Sequence, residues 1–387
     1  MQIQKLSSSL DIKSYLKRIG VDGGGVKILA SKAKQHTIYI QDLHVGAANI
    51  LKQDALSVGA DLAVPKGTVI ASTPQVDCIL IATQKELEIL SKKELSQPFG
   101  LKTVAKELQK IAHIKDVKTR KIMGVLNAND DSFFQASRFQ AKDAMKKIER
   151  MIEEGADIID IGAVSSRPNA KVVSVAEELA RVEEIYTLIA KEKLHEKVSL
   201  SCDSYEPQVI EKALDAGFSI VNDITGLAND VVCKLCASYD AQAVIMHMQG
   251  TPQTMQNNPH YSSVLNDITT FFEQRIAKAE SFGVKDIVLD VGIGFGKSLT
   301  DNLTLVKHLE HFLTLEKPLL VGASRKSMID KITPSKIEER LGGTLALHLE
   351  ALKNGASILR VHDVYEHKQA LQVYEALYQN SLYHIEK

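Results

Sequence analysis

Cysteine is scarce. Four residues in a chain of 387 cannot build the disulfide framework of a small secreted domain. Cys233 and Cys236 do form a C-x-x-C, but zinc would need two further ligands, and a thioredoxin-like redox site would need its own strand–helix setting. Their i, i+3 spacing within VVCKLCASY puts both thiols on one helix face, so the expectation is a buried, reduced pair. Net charge is equally small: 47 Lys and Arg stand against 48 Asp and Glu, a formal charge of -1. No broad field therefore draws nucleic acid or an anionic membrane, and neither is expected as a partner. A local basic pocket for a small anion stays open. No apolar run approaches the roughly 20 residues that span a bilayer. Gln2 to Ser9 is polar and carries no basic-apolar leader, which makes the cytoplasm the expected location. What the chain does have is core material, with 44% hydrophobic residues and enough length for a barrel of about 250 residues plus a smaller partner.

From Lys121 onward short apolar runs alternate with amphipathic stretches. Eight strands are predicted: KIMGVL, DIIDIG, KVSLSC, FSIVN, AQAVIMH, DIVLD, PLLVG and SILRVH. Most lack period-2 alternation and are rich in Val and Ile, as parallel strands covered on both sides should be. Helical spacing fills the gaps, as in AKDAMKKIERMIEEGA and EELARVEEIYTLIAKE. Gly155, Gly217, Gly283 and Gly355 stand where left-handed helix C-caps belong. Eight βα units favour a (β/α)8 TIM barrel over residues 119–387, with an open doubly wound sheet as the alternative. Residues 1–118 read as a smaller N-terminal α/β domain. HTIYIQ and VDCILIAT are its strands, LHVGAANILKQDAL and KELEILSKKEL its helices, and Gly100–His113 a helical connector into the barrel. Gly23-Gly24-Gly25 reads as a turn, since no Lys-Ser/Thr follows to make a phosphate loop. No nucleotide, metal or nucleophile motif marks this domain.

Barrel enzymes place their sites at the C-terminal ends of the strands. There this chain carries Asn127, Ser166 with Arg167, Asp203, Asn222, Met246 with His247, Asp290, Arg325 with Lys326, and Arg360 with His362. One polar strand end is ordinarily just solvated; eight in phase point to a site. One group suits a flat, nitrogen-rich ring. Asp203 and Asp290 can accept paired N–H bonds, Asn222 can donate and accept, Lys326 can donate, and Met246 can pack on the ring face. The competing reading makes the two aspartates buried partners of Arg or Lys. A second group suits a diphosphate: Asn127, Ser166, Arg167, Arg360 and His362 bring neutral donors and fixed positive charge. Asn127 is also an oxygen ligand of the kind Mg2+ takes beside a diphosphate. GIGFGKS fails both phosphate tests. A Walker loop needs Gly where Val291 stands, and a dinucleotide fingerprint needs Gly where Lys297 stands. Its glycines are expected to shape a tight loop after Asp290.

MGVLNANDDSF, GADIIDIGAVSSRP, SCDSY, VNDITG, MHMQGTP, DVGIGFGK, GASRKS and RVHDV, in this order, resemble the motifs of the dihydropteroate synthase family of pterin-binding enzymes. The resemblance implies a transferase of folate biosynthesis on a (β/α)8 barrel. Such an enzyme joins p-aminobenzoate to (7,8-dihydropterin-6-yl)methyl diphosphate and releases diphosphate. It further implies Mg2+, a homodimer and sensitivity to sulfonamides. Carried over by position, Asp203, Asn222, Asp290 and Lys326 would hold the pterin, with Met246 against its face. Asn127, Arg167, Arg360 and His362 would hold diphosphate and metal. Phe133, Ser166, Pro168, Phe295, Arg325 and Ser327 would shape the p-aminobenzoate pocket, with Ser327 at a helix start that favours a carboxylate. The chemistry would fall on Asp203, Lys326, Arg360 and His362. This division predicts that Asp203→Asn weakens pterin binding more than Arg360→Ala does. Departures from the family pattern cluster in the first two strand-end loops, where Val164 replaces a carboxylate, and at Val291, which replaces a proline. A non-catalytic pterin-binding paralogue and a corrinoid methyltransferase acting on methyltetrahydrofolate are the alternatives.

Overall fold

The computed structural model describes residues 3–7, 10–128, 138–165 and 173–379. The chain divides into two compact units after Ile114, and the end of the last helix, from Glu375, groups with the first. The first unit runs α1 (Ile12–Arg18), α2 (Gly23–Ala33), β1 (Gln35–His44), α3 (Val45–Val58), β2 (Asp61–Ala63), β3 (Gln75–Thr83), α4 (Gln84–Lys93) and α5 (Leu101–Ala112). Its antiparallel sheet has the order β1-β3-β2. Side chains of β3 alternate strictly between exposed and buried, so one face carries Val76, Cys78, Leu80 and Ala82 into the core. Against that face pack Ala47, Leu51 and Ala55 of α3, Leu87 and Leu90 of α4, and Leu101 and Leu108 of α5. Two expectations are corrected here. Helix α5 is no connector: it buries Leu101, Ala105, Leu108 and Ala112, so it is part of this unit's own core. Gly23-Gly24-Gly25 is no turn either, but the first turn of α2, started by the Asp22 carboxylate, which accepts from Gly25 N. A strong N-cap offsets the low helix propensity of three glycines.

The second unit opens with β4 (Lys121–Asn127), α6 (Arg138–Glu153), β5 (Ile158–Gly162), α7 (Val175–Glu192), β6 (Ser199–Asp203) and α8 (Pro207–Asp215). It continues with β7 (Ile220–Asp223), α9 (Asp230–Ser238), β8 (Gln242–Met246), α10 (Val264–Ser281), β9 (Ile287–Asp290) and α11 (Leu299–Lys307). Then come β10 (Leu319–Val321), α12 (Ser327–Ile332), α13 (Leu341–Lys353), β11 (Ile358–Val361) and α14 (Val364–Gln379). The strands close into a barrel of order β10-β11-β4-β5-β6-β7-β8-β9, all paired in parallel. All eight predicted strands lie in that barrel, and the four predicted capping glycines all have positive φ.

Although the strand sequences do not alternate in polarity, their side chains alternate in direction. Ile159, Leu200, Val221, Ile245, Leu289 and Leu359 point outward into the core shared with the helices. Met123, Ile158, Ile220, Val244, Val288, Leu320 and Ile358 point inward and form an apolar plug inside the barrel. Each fully buried aliphatic side chain of this kind contributes about 1.5–3 kcal/mol. Cys233 and Cys236 are buried free thiols on α9. Cys202 also faces outward, with its Sγ 3.6 Å from the Tyr186 hydroxyl, and burial drives its pKa up.

Candidate active site

Two residues beyond six of the apolar plug positions, and beyond the buried Ser201 of β6, the same inward direction recurs one layer higher. That layer holds Asp160, Asp203, Asn222, Met246, Asp290, Gly322 and Arg360, in register across neighbouring strands: Asp203 pairs with Asn222 and Met246 with Asp290. Above the layer opens a cleft of about 350 Å³, mouth included. It is lined by Asp203, Asn222, Met246, Asp290, Phe295, Lys326 and Arg360 together with Ile224, Ile293 and Gly322. Seven sequence-predicted residues thus share one cavity. Asn127 at the end of β4, Arg325 and His362 in the loops after β10 and β11, and Ser327 at the start of α12 do not line it. Phe133, Ser166, Arg167 and Pro168 fall outside the described residues.

The floor of the cleft is an ionic network. Arg360 Nε donates to Asp160 Oδ2 at 2.6 Å and Arg360 Nη2 to Asp203 Oδ2 at 2.6 Å. Asn222 Nδ2 donates to the same Asp160 oxygen at 3.1 Å. Burial pushes the Asp203 carboxyl up, the Arg360 charge opposes that, and the neighbouring Asp160 adds to it. The two carboxylates raise the Arg360 guanidinium despite its burial, so it remains cationic. The two clusters of the sequence meet here: Arg360, expected to hold diphosphate and metal, pairs with Asp203 of the ring group and with Asp160, because β11 closes the barrel beside β4 and points Arg360 inward. Asp203 combines both competing readings, being a buried partner of an arginine and a wall of the cleft. Asp160 was missed altogether. It is fully buried, and its Oδ1 has no hydrogen-bond partner among the described residues. The signal was present in DIIDIG, where Asp160 stands two positions after Ile158 and therefore faces inward.

Asp290 is held by Gly292 N–H at 2.8 Å; burial raises its pKa, while that bond and the Lys326 charge pull it back. Lys326 Nζ stands 4.2 Å from the centre of the Phe295 ring. The loop after β9 is as tight as its glycines suggested. Gly292 has φ +67°, and a Cβ there would overlap the His247 carbonyl oxygen. A Cβ on Gly296 (φ +61°) would lie 2.5 Å from the Gln249 carbonyl oxygen.

The loops after β10 and β11 brace each other. Arg325, held at φ +55°, grips Asp363 with Nε at 2.9 Å and Nη2 at 2.6 Å and donates through Nη1 to the Ile337 carbonyl. Its guanidinium is therefore engaged away from the cleft. Ser324 Oγ lies 2.9 Å from His362 Nδ1, which leaves Nε2 as the donor if the hydroxyl donates. Burial and then Arg360 depress the His362 pKa to about 4, so the ring is a neutral hydrogen-bonding group at pH 7. Behind them runs a chain of two buried imidazoles absent from the sequence reading. Ala323 N–H donates to His348 Nε2 at 3.0 Å, His348 Nδ1 meets His367 Nε2 at 2.8 Å, and His367 Nδ1 meets the Asp363 carbonyl at 2.6 Å. Only one tautomer assignment satisfies all three contacts for neutral rings, and burial keeps both neutral.

Residues 123–362 match the pterin binding enzyme family. Over 368 residues the chain is 42% identical to the bifunctional dihydropteroate synthase/dihydropteroate reductase of Helicobacter pylori, an alignment covering 95% of this chain and 96% of that protein. It is 39% identical over 264 residues to the dihydropteroate synthase of Haemophilus influenzae, covering 67% of this chain and 95% of the relative. The crystal structure of Yersinia pestis dihydropteroate synthase in complex with a sulfonamide drug superimposes with a TM-score of 0.64 at 36% identity, over 69% of this chain and 97% of that one.

Proposed function

The chain belongs to the pterin-binding enzyme family as a dihydropteroate synthase, and from that premise we propose how its own residues carry the reaction. The p-aminobenzoate nitrogen attacks the pterin methylene, the C–O bond to diphosphate breaks with its electron pair leaving on oxygen, and the ammonium product loses a proton. Supporting the residue assignment is a cleft in which Asp203, Asn222, Met246, Asp290 and Lys326 converge. The carboxylates accept from the aminopyrimidine edge, Asn222 and Lys326 complete the hydrogen bonding, and Met246 packs on the ring. Asp203 stabilises positive charge that spreads into the ring as the C–O bond lengthens, while Arg360 keeps the buried carboxylates from repelling each other. Neutral His362 donates to the departing diphosphate, with Asn127, Arg167 and the Arg360 charge. Phe133, Ser166, Pro168, Phe295 and Ser327 enclose p-aminobenzoate, and Arg325 supports that wall through Asp363 rather than touching substrate.

Among the described residues no group of three His, Cys, Asp or Glu is placed to hold a metal. Mg2+ beside a diphosphate takes most of its ligands from phosphate oxygens and water and few from the protein. Asn127, half-buried at the end of β4, would supply an amide oxygen, and the ion would neutralise charge on the leaving group when bound. A homodimer in the cytoplasm completes the proposal. No helix among the described residues is long and apolar enough to cross a membrane. The test is purified protein with both substrates and Mg2+: dihydropteroate and diphosphate should appear in equal amounts. Tight pterin binding without turnover would sink the assignment.

A second reading adds to the first. The alignment with the bifunctional relative runs through the N-terminal unit, whereas the synthase relative from Haemophilus influenzae covers 67% of the chain. We propose that the intact chain also reduces dihydropteroate. Incubation of dihydropteroate with reduced nicotinamide and reduced flavin donors would show tetrahydropteroate if this holds. Donor-independent persistence of dihydropteroate would remove it.

A further inference from the structure

Lys297 ends the run Gly292-Ile293-Gly294-Phe295-Gly296-Lys297, and the reaction as derived makes no use of it. Its side chain is buried, and no described carboxylate pairs with it. Lys297 Nζ instead lies 3.2 Å from the His247 carbonyl, 3.0 Å from that of Gly292, 2.9 Å from that of Phe295 and 3.0 Å from His247 Nδ1. Burial pulls its pKa down to about 7, and His247 is driven down to about 3, which makes its ring a neutral acceptor. A buried amine persists only where its N–H groups are satisfied, and here every acceptor belongs to one of two loops. His247 begins the loop after β8, directly after Met246. Gly292 and Phe295 belong to the loop after β9. The backbones of the two loops touch at Gly292 and Gly296, where no Cβ fits. Lys297 ties them at their base, beside Gln256 Nε2, which donates to the Gly294 carbonyl at 3.0 Å, and the Tyr261 hydroxyl, which donates to that of Gly296 at 2.6 Å.

The tie ends on the Phe295 backbone, and the Phe295 ring is a wall of the cleft beneath Lys326 Nζ. We propose that Lys297 is a positioning residue for the p-aminobenzoate end of the site: it fixes the Phe295 backbone, and so the ring that the aromatic acid meets. The proposal rests on the reading that Phe295 borders p-aminobenzoate. Replacing Lys with Met, an apolar chain one atom shorter, leaves the His247 and Phe295 carbonyls without this donor and the Gly292 carbonyl with the Phe295 N–H alone, and so loosens the Phe295 backbone without touching the residues that hold the pterin.

The experiment uses the full chain with Lys297→Met, Lys297→Gln and Phe295→Leu, measuring kcat and KM for both substrates. Fluorophenylalanine labelling reports on the Phe295 ring, its 19F resonance assigned by its loss in Phe295→Leu. The KM for p-aminobenzoate should rise about tenfold in Lys297→Met and about threefold in Lys297→Gln, which keeps two N–H donors, while the KM for the pterin diphosphate stays within about twofold. The Phe295 resonance should broaden in the same order. A folded variant of either kind with wild-type KM for p-aminobenzoate and an unchanged resonance overturns the proposal. If the resonance broadens but Phe295→Leu leaves that KM unchanged, the assignment of Phe295 to p-aminobenzoate fails and the functional part of the proposal with it. If Phe295→Leu raises that KM and Lys297→Met does not, the assignment stands and the proposal alone is lost.

Discussion

Arg360 sits between two carboxylates, Asp160 and Asp203, at 2.6 Å from each. Removing one partner of a buried ionic group costs about 3–5 kcal/mol, because the charge left behind is neither solvated nor paired. Arg360→Ala leaves two such charges, so it should destabilise the barrel by at least that range in urea unfolding and weaken pterin binding as well. The sequence division, under which Arg360 holds diphosphate and metal, predicts a weaker effect on the pterin than Asp203→Asn. With the pair in view, the two substitutions should be non-additive by about 1 kcal/mol or more in a double-mutant cycle. Additive effects on pterin affinity would show that the ionic contact is not what shapes the site. Gly292 is a simpler case. Its positive φ and the abutting His247 carbonyl make Gly292→Ala strained by about 1–3 kcal/mol, and a lowered thermal midpoint with a raised KM for both substrates is the expected result.

At the scale of elements, two buried groups act through what they join. The His348–His367 chain links α13 and α14 to the loops after β10 and β11. His348→Leu strands the Ala323 N–H and should cost about 1–3 kcal/mol. His348→Gln can still accept and donate, and should cost less in the same denaturation experiment. In the first unit Glu94, at the end of α4, is fully buried with neither carboxylate oxygen hydrogen-bonded among the described residues. Burial first, and then the Asp54 charge, raise its pKa from 4.5 to about 7. A raised folded pKa means the folded state holds the proton more tightly than the unfolded one. Its favourable contribution is therefore complete below pH 4.5 and is lost as pH rises towards about 7. Glu94→Gln should stabilise this unit at pH 8 relative to wild type and flatten its stability between pH 5 and 8. An unchanged pH slope would mean that Glu94 is solvated in solution.

For the whole molecule, the p-aminobenzoate assignment predicts how inhibitors act. Sulfonamides share the aniline and anionic ends of that substrate, so initial-rate analysis should give inhibition competitive with p-aminobenzoate. Non-competitive inhibition would place the drug elsewhere. The eight strands, their parallel order and the ring of polar strand ends were legible because each depends on local pattern: apolar runs of strand length, helical spacing between them and glycine at the helix ends. So was the family, carried by eight ordered motifs. The pairing of Arg360 with Asp160 and Asp203 was not, since it joins positions up to 200 residues apart and depends on barrel closure bringing β11 beside β4. For the same reason Lys297, His348 and His367 looked like unremarkable polar residues: a buried polar side chain is recognisable only once its partners on other elements are in place. Helix α5 was read correctly as a helix and wrongly as a connector, because periodicity shows that a face is apolar and never which core receives it. The sequence by itself determined which residues face the barrel axis, because strand direction alternates with period two. Only the tertiary structure decided which of those charges neutralise one another, because that is set by distances across the closed barrel.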